Sequence, residues 1–454
     1  MIMPHLWKRL SARSRGYRDN SLATLAAGLW LGLYPQLHLG TYSTLTRDKW
    51  IIMFCLFFFT IVCILNDGIR HRLARPVLFP SVLAGCLIGW ICLSCLLSKY
   101  NADFWWLGAS VRKEGLLTQF CYILLFLCFS CAGINLAPLY GCTAFGVLLF
   151  AMVIFAQRAG YNPFGLYPKG TSYANSPAFQ GPIGNIDMGT GYLCLVSGFF
   201  FSSLSGIIAG RKRIPLFSPA KNDRFIFLSS LLGLLLSVCL ILTMGVQFGI
   251  ISLSAVLLFA VLEYVPPRYR ISLILLLLIL ILLFAWFYPG KTGGLWELHE
   301  ILHGRLRLSF GSNRLAVWWY SLGLAGESLL LGGGSDTFEP RFNAWLKQNR
   351  LMIPKEQDGL VLPDYFDNPH NEYLAQLINH GLPAMLLYIA LLLTVLFHPR
   401  FRRSPFRLAV AAYAVQAFFS FSVCIVAPMF WVVLGLCCSV SDESAVISLV
   451  PGQT

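Results

Sequence analysis

Charge is scarce in this sequence. Only 12% of its 454 residues are Asp, Glu, Lys or Arg, whereas soluble domains carry about a quarter. The uncharged residues fall in blocks of about 18–25 residues, separated by short basic or Gly/Pro-containing breaks, and such blocks match the roughly 30 Å core of a bilayer. A large separate soluble domain is therefore excluded, and the fold expected is an all-α, polytopic integral membrane protein.

Other missing patterns narrow the range of functions. The 14 cysteines lie mostly in apolar segments and none falls in the long polar segment 289–371, so a disulfide framework is not expected. The polar segments between the apolar blocks hold no convincing Asp-x-Asp and no HExxH. Asp364 and Asp367 are interpreted as residues of a solvated loop. No metal site is therefore expected. No basic helix is interleaved with aromatic residues, so the net charge of +14 is not interpreted as a nucleic-acid site.

Twelve apolar segments are candidates for membrane spans, of which the last two are short and tightly linked. A basic start precedes the first segment without a clear cleavage site, so this segment is expected to remain as an anchor. The expected organisation is nine spans in 1–288, an outer loop with short helices in 289–371, and three spans in 372–454. The candidate spans are 21–39, 50–66, 77–97, 115–133, 138–156, 188–209, 225–243, 246–264, 271–288, 372–397, 406–424 and 426–440.

The distribution of positive charge predicts the orientation. With a cytoplasmic N-terminus, the inside segments hold 19 Lys and Arg residues and the short outside loops hold seven. Because short cytoplasmic loops are enriched in these residues, both termini are expected in the cytoplasm and the long loop on the outer face. This surplus accounts for most of the net charge and suits anionic lipid head groups.

Two shorter outer segments break the apolar pattern. In the first, Trp105-Trp106 fits an interfacial aromatic belt, whereas Arg112 stands at the mouth of a span, where topology gives no reason for an arginine. In the second, Gly and Pro mark tight turns before a helix start. Asn185 or Asp187 either caps that helix or has a role in function.

The long outer segment holds further candidates. Aromatic and apolar residues at helical spacing around Arg314 predict an amphipathic helix on the membrane surface. The run that ends at Gly334 can bring backbone N–H groups close to phosphate oxygens, although a flexible turn is the alternative. It lacks the lysine of a P-loop, so nucleotide binding is not expected.

His370 lies at the end of this segment, where polar sequence runs into an apolar helix. If Asn368 caps that helix and Pro369 occupies its first turn, His370 lies at the positive end of the helix dipole, which favours a neutral ring. An interfacial histidine without chemistry is the alternative. His303 and His380 have weaker claims, because no motif supports the first and the second lies inside a span.

Together these features resemble the O-antigen ligase family of bacterial membrane glycosyltransferases. His370-Asn371 is followed by nine residues and then by Gly381-Leu382-Pro383-Ala384, and the family shows His, a polar residue, nine residues, Gly and then a small or Tyr position. Ala384 departs slightly from the Gly, Thr or Tyr usual there. The order of the other motifs also matches: Arg112-x-x-x-Leu116, Gly184-Asn185, Arg314 to Trp318, and Gly332-x-Gly334.

The resemblance implies transfer of a glycan from undecaprenyl diphosphate to an acceptor hydroxyl outside the bacterial cytoplasmic membrane, without a nucleotide sugar, metal ion or cofactor. The implied partners are the lipid-linked donor, a glycan, lipid or protein acceptor, and membrane lipids. The acceptor must lose a proton, so His370 is expected to act as general base. Arg112 and Arg314 are expected to bind the diphosphate, because a guanidinium donates two hydrogen bonds to phosphate oxygens and stays charged. The expected substrate-binding residues are Arg305, Arg307, Asn371, Asn185 and Gly334.

Other functions remain as alternatives at this point. A polysaccharide polymerase would perform the same displacement with another glycan repeat as acceptor. A polytopic transporter would usually place ionisable groups near mid-membrane and often contains internal repeats, whereas the charges here cluster at the predicted outer surface. A scaffold would give no role to Arg112, Arg314 and His370, so a transferase is the function predicted.

Overall fold

The regular structure of the chain is helical. A computed structural model describes residues 22–70, 73, 76–109, 111–208, 221–349 and 366–439, and within these ranges the elements are helices, without a β-strand. The prediction of an all-α fold is confirmed. The basic N-terminal stretch, the basic loop 209–220 and Asp364 lie outside the described residues.

Sixteen α-helices are found in the described ranges and are numbered here in chain order. A π-helical turn, Leu29–Leu33, and a 3-10 turn, Tyr34–Gln36, extend the first of them. The helices are α1 Leu22–Gly28, α2 Leu45–Ile69, α3 Leu78–Leu96, α4 Ala102–Leu107, α5 Leu116–Ser130, α6 Leu136–Arg158, α7 Ile186–Ile208, α8 Lys221–Met244, α9 Gln247–Tyr264, α10 Pro267–Trp286, α11 Gly294–Leu302, α12 Arg314–Gly326, α13 Phe338–Asn349, α14 Glu372–Phe397, α15 Arg407–Ala417 and α16 Ala427–Ser439.

Eight of these helices are long and apolar enough to cross a membrane, namely α2, α3, α6, α7, α8, α9, α10 and α14. The other four predicted spans also coincide with apolar helical segments, but these segments are shorter. They are α1 with its extension, α5, α15 and α16. The last two have 11 and 13 residues, about 16–20 Å of helix, so neither crosses a full hydrocarbon core. The chain is a multi-pass membrane protein, as predicted.

Segments predicted for the same side of the membrane contact each other, and the two sets lie at opposite ends of the helix bundle. At one end, Arg112 of the loop before α5 pairs with Asp367 of the segment before α14. At the other end, Arg407 at the start of α15 pairs with Glu263 near the end of α9, with 2.5 Å between Nη1 and Oε1. Two loops predicted to lie outside, before α5 and before α14, therefore meet on one face of the bundle.

A second, smaller core lies beside the main core of the spans. Here α12 and α13 pack against the first half of α14, with Tyr320, Phe342 and Ile378 among the buried residues. The helix predicted around Arg314 is confirmed as α12, whose opposite side exposes Trp319 and Leu322. This core fixes the outer segment to the span that follows His370.

The span α14 is broken near its middle at Gly381, which has φ +82° and is followed closely by Pro383. A Cβ at Gly381 would overlap the carbonyl oxygen of Leu330, so only glycine allows the outer segment to approach this closely. The break interrupts the helical hydrogen bonds and leaves carbonyl groups free to accept from other parts of the chain.

Candidate functional site

His370 lies in a tight turn immediately before α14. Its backbone has φ +48°, and its N–H donates to Oδ1 of Asn368 at 2.8 Å. The expectation that Asn368 caps the helix is wrong. Asn371 is the cap, with its Oδ1 accepting from the N–H of Leu374 at 2.9 Å, because the turn at Asn368 keeps Pro369 and His370 out of the helix, which begins at Glu372.

The ring of His370 stands edge-on to Phe421, with 5.3 Å between ring centroids. Its Nδ1 atom is buried and has no hydrogen-bond partner among the residues the structure describes. Burial, and then the charges of Arg314 and Arg112, lower the pKa of His370 from 6.5 to about 4. The imidazole is therefore neutral at physiological pH, with both arginines near it.

Arg112 is almost completely buried, with 6% of its surface exposed. Its Nη2 forms an ion pair with Asp367, and its guanidinium lies over Phe421, 3.9 Å from the ring centroid. The same aromatic ring therefore contacts Arg112 on one side and His370 on another. The Nε–H of Arg112 has no partner within the described ranges, so it can donate to a ligand.

Arg314 has a similar environment on another part of the chain. It opens α12, its Nη2 lies 3.3 Å from Oδ2 of Asp187, and its guanidinium carbon is 5.1 Å from the centroid of Phe248. Burial lowers the pKa of Arg314, but an arginine stays charged at any relevant pH. Its Nε–H is also unpaired in the described part of the chain. Trp318 of the same helix donates to the carbonyl of Pro369 at 2.9 Å, which ties Arg314 to the His370 turn.

The predicted catalytic residues thus come together, whereas the other predicted arginines do not join them. Arg305 is half-exposed, and its Nη2 lies 2.7 Å from Oε1 of Glu300. The other carboxylate oxygen of Glu300, Oε2, lies 3.7 Å from Nη2 of Arg307. Both arginines therefore engage α11. His303 stacks on Trp286 with 4.3 Å between ring centroids, which anchors α11 to the end of α10.

Besides Asn371, which caps α14, two more predicted substrate-binding residues have internal partners. Oδ1 of Asn185 accepts from the N–H of Asp187 at 2.8 Å, so Asn185 caps α7, one of the two interpretations left open. The N–H groups of Gly333 and Gly334 donate to the carbonyl of Asn379 at 3.0 and 2.8 Å. The glycine turn therefore docks on the broken span α14 and uses the N–H groups that could otherwise hold a phosphate.

The structure adds three buried acidic residues to which the sequence assigned no role, Glu114, Asp336 and Glu372. Together with the partly exposed Asp367 they line one small polar cavity next to Arg112. Its volume is about 50 Å³, enough for a few water molecules and well below the size of a ligand pocket. Within the part of the chain that the structure describes, no group of His, Cys, Asp and Glu has a metal-binding arrangement.

Hydrogen bonds account for the burial of these carboxylates. Glu114 accepts from the hydroxyl groups of Tyr122 and Ser422 at 2.6 and 3.0 Å, and burial raises the pKa of Glu114 to about 8. Glu372 accepts from Tyr388 and Tyr413. Asp367, interpreted from sequence as a solvated residue, instead pairs with Arg112. The position of Glu114, two residues after Arg112, was the one local signal that could have pointed to this cluster.

Comparison with known proteins finds a family match. A family described as O-antigen ligase matches residues 232–389, a range that includes Arg314, the glycine turn, and the motif from His370 to Ala384. Among curated proteins, none matches the chain. The match supports a membrane glycosyltransferase of the ligase or polymerase type and confirms the resemblance seen in the sequence. Residues 232–389, about a third of the chain, are thus similar to the O-antigen ligase family.

Proposed function

We propose that this protein transfers a glycan from undecaprenyl diphosphate to an acceptor hydroxyl on the outer face of the bacterial cytoplasmic membrane. The observation that carries the proposal is the convergence of His370, Arg112 and Arg314, from three distant parts of the chain. The charges of both arginines act on the His370 ring. A neutral base beside two guanidinium groups suits a reaction that removes a proton at one point and releases a diphosphate at another.

The arginines would stabilise the leaving group. The bond between the anomeric carbon and the phosphate oxygen breaks, and negative charge accumulates on the lipid diphosphate. Arg112 and Arg314 each retain a buried, unpaired Nε–H in the described structure, and these donors are preorganised, which makes electrostatic stabilisation effective. The carboxylates of Asp367 and Asp187 hold the two guanidinium groups through Nη2.

His370 would remove the proton of the acceptor hydroxyl as its oxygen forms the new bond to the anomeric carbon. The ring must be neutral to do so, and its lowered pKa of about 4 ensures this in the free enzyme. A bound diphosphate would offset the charges of Arg112 and Arg314 and raise the pKa of His370. Donor binding would thereby make the imidazole a stronger base when the acceptor is attacked.

The acceptor decides between a ligase and a polymerase. A ligase moves the glycan to a lipid or protein, and a polymerase extends another lipid-linked glycan, but both use the same displacement at the donor. The proposed partners are therefore the lipid-linked donor and an acceptor with a free hydroxyl. Arg305, with about half of its side chain exposed, remains a proposed contact for the glycan, away from the diphosphate site of Arg112 and Arg314.

The test separates donor binding from transfer. Purified protein is given lipid-diphosphate-linked glycan and candidate acceptors, and the new reducing-end partner of the product is identified. His370→Ala and His370→Gln should bind the donor with near-normal affinity, but transfer it about 10²–10⁴-fold more slowly, because neither side chain can accept the proton.

Arg314→Ala should lose about 10²–10³-fold in rate, and Arg314→Lys should recover only a small part because lysine lacks the planar fork.

Arg47→Ala is the control for a general loss of positive charge, since the Arg47 side chain is 64% exposed and pairs with Asp48, outside the group formed by His370, Arg112 and Arg314. Its transfer rate should stay within a few-fold of wild type. Near-normal turnover in His370→Gln would mean that His370 orients the acceptor but is not the base. If Arg314→Ala ran at the wild-type rate, the diphosphate role of that residue would be wrong.

A further inference from the structure

The loop that carries Arg112 is closed at its neck by two glycines. Gly108 has φ +82°, and a Cβ there would stand 2.5 Å from the nitrogen of Gly115 and 2.7 Å from Oδ2 of Asp336. The backbones at the two ends of the loop are therefore in direct contact. Arg112 projects from the loop, so its position depends on how the neck is held.

Asp336 occupies this neck. Its Oδ2 accepts from the N–H of Ala109 at 2.6 Å and from the N–H of Glu114 at 3.1 Å, one donor on each side of the loop. Asp336 is only 8% exposed, so both N–H groups would lose a buried acceptor if the carboxylate were removed. A buried, unsatisfied donor is costly, and the loop would have to open to find other partners.

Asp336 is itself held by the broken span. It follows the glycine turn, whose N–H groups donate to the carbonyl of Asn379. The preceding Ser335 lies 2.9 Å from Nε2 of His380, and the side chain of Arg341 donates to the carbonyl of Ile378 at 2.6 Å. The break at Gly381 is what makes this docking site available. A continuous set of contacts therefore runs from the span that follows His370 to the loop that carries Arg112.

We propose that Asp336 is a positioning residue, whose carboxylate closes the loop from Gly108 to Gly115 and so sets the place of the Arg112 guanidinium relative to His370. The proposal rests on the proposed function for the diphosphate role of Arg112. Both hydrogen bonds reach a single oxygen, so the role requires one acceptor atom and no negative charge. Burial raises the pKa of Asp336 to about 7, which makes an uncharged carboxamide a close replacement.

This requirement gives a test with two variants of opposite outcome. Asp336→Asn keeps one oxygen for both N–H groups and should retain transfer within a few-fold of wild type. Asp336→Ala removes the acceptor and should lower transfer about 10²-fold, the scale expected for a small misplacement of a catalytic group. The double variant Asp336→Ala/Arg112→Ala should be no slower than Arg112→Ala alone. Asp103→Ala, which removes an exposed carboxylate near the same loop, is the control.

A second measurement reports on the loop without relying on transfer. A spin label on a genetically encoded amino acid at Val111, whose side chain is half-exposed, measures loop mobility by electron paramagnetic resonance. Mobility should rise in Asp336→Ala and stay at the wild-type level in Asp336→Asn. Gly108→Ala, which forces the neck apart while keeping Asp336, should also raise the label mobility. This variant replaces Asp336→Ala in the test if Asp336→Ala does not fold.

Two results would overturn the proposal. One is an unchanged label mobility in both Asp336→Ala and Gly108→Ala. The other is loss of transfer in Asp336→Asn equal to that in Asp336→Ala, which would give Asp336 a charged or proton-transferring role. If label mobility changes as expected while Arg112→Ala transfers at the wild-type rate, the loop is positioned as proposed and the diphosphate role of Arg112 is what fails.

Discussion

His370 illustrates how neighbours define the chemistry of a single residue. The sequence suggested that a helix dipole would keep its ring neutral, but the first helical residue of α14 is Glu372 and the largest effects on His370 are burial and the charges of Arg314 and Arg112. These effects act in the same direction as the dipole. The sequence thus predicted a neutral ring from the helix dipole alone. It could not predict the effects of burial and of charges from distant segments, because neither is visible in local sequence.

The pKa of His370 should respond to an anion at the arginines. In the free protein, nuclear magnetic resonance of isotope-labelled histidine should show a titration near pH 4, the value set by burial and the two positive charges. Inorganic pyrophosphate should move the midpoint upward, since an anion beside Arg112 and Arg314 favours the imidazolium form. Protonation below the midpoint removes the base, so transfer should fall on the acid side of it.

The variant His370→Gln identifies the signal, because only the resonance of His370 should vanish. Arg314→Gln should raise the midpoint without pyrophosphate, as it removes one of the charges that lower the pKa. A midpoint near 6.5 in the wild-type protein, unchanged by pyrophosphate, would contradict the effect of burial and of the two arginine charges on the ring.

At the level of elements, the broken span α14 organises the site. The sequence motif contains Gly381 at a fixed distance from His370. The structure gives two reasons why this position requires glycine: its φ is positive, and the Leu330 carbonyl occupies the place of a Cβ. The break presents the carbonyl groups of Ile378 and Asn379 to the outer segment. A motif recognised by its spacing is therefore explained by the docking of one segment on another.

Gly381→Ala should disrupt this docking. A backbone conformation that is almost restricted to glycine costs about 1–3 kcal/mol in another residue, and the overlap with Leu330 adds to it. The variant should have a lower melting temperature and reduced transfer, both measurable on protein purified in detergent. Gly85→Ala is the matched control, because Gly85 lies within a span and a Cβ there meets no atom within 4 Å. Equal behaviour of the two variants would show that the break does not need glycine.

Local patterns predicted the elements better than the site. The span 372–397 was predicted with the bounds observed for α14, and the helix at Arg314 was expected from its apolar spacing. The acidic residues were missed because their burial depends on contacts between distant segments: Asp336 accepts from the N–H of Ala109, 227 positions away. A polar residue in a loop gives no local sign that it will be buried, so Asp336 and Glu114 were assigned no role.

At the level of the whole molecule, the site depends on bringing four separate segments to one face of the bundle. Arg112 precedes α5, Arg314 begins α12, His370 precedes α14, and Phe421 lies between α15 and α16. None of these segments can form the site alone, because each supplies one group. The proposed division into spans 1–288, an outer segment 289–371 and spans 372–454 is therefore an order along the chain, and the site combines residues from all three parts.

The orientation of this face is the remaining prediction for the whole molecule. The positive-inside rule places residues 289–371 outside and the loop between α14 and α15 in the cytoplasm. In a cysteine-depleted chain, single cysteines at Ser172, Thr292 and Arg403, which are all exposed, should react differently with a membrane-impermeant maleimide in intact spheroplasts. Ser172→Cys and Thr292→Cys should be labelled at once, and Arg403→Cys only after the membrane is opened. The reverse pattern would place Arg112, Arg314 and His370 on the cytoplasmic side, where the proposed transfer outside the membrane could not take place.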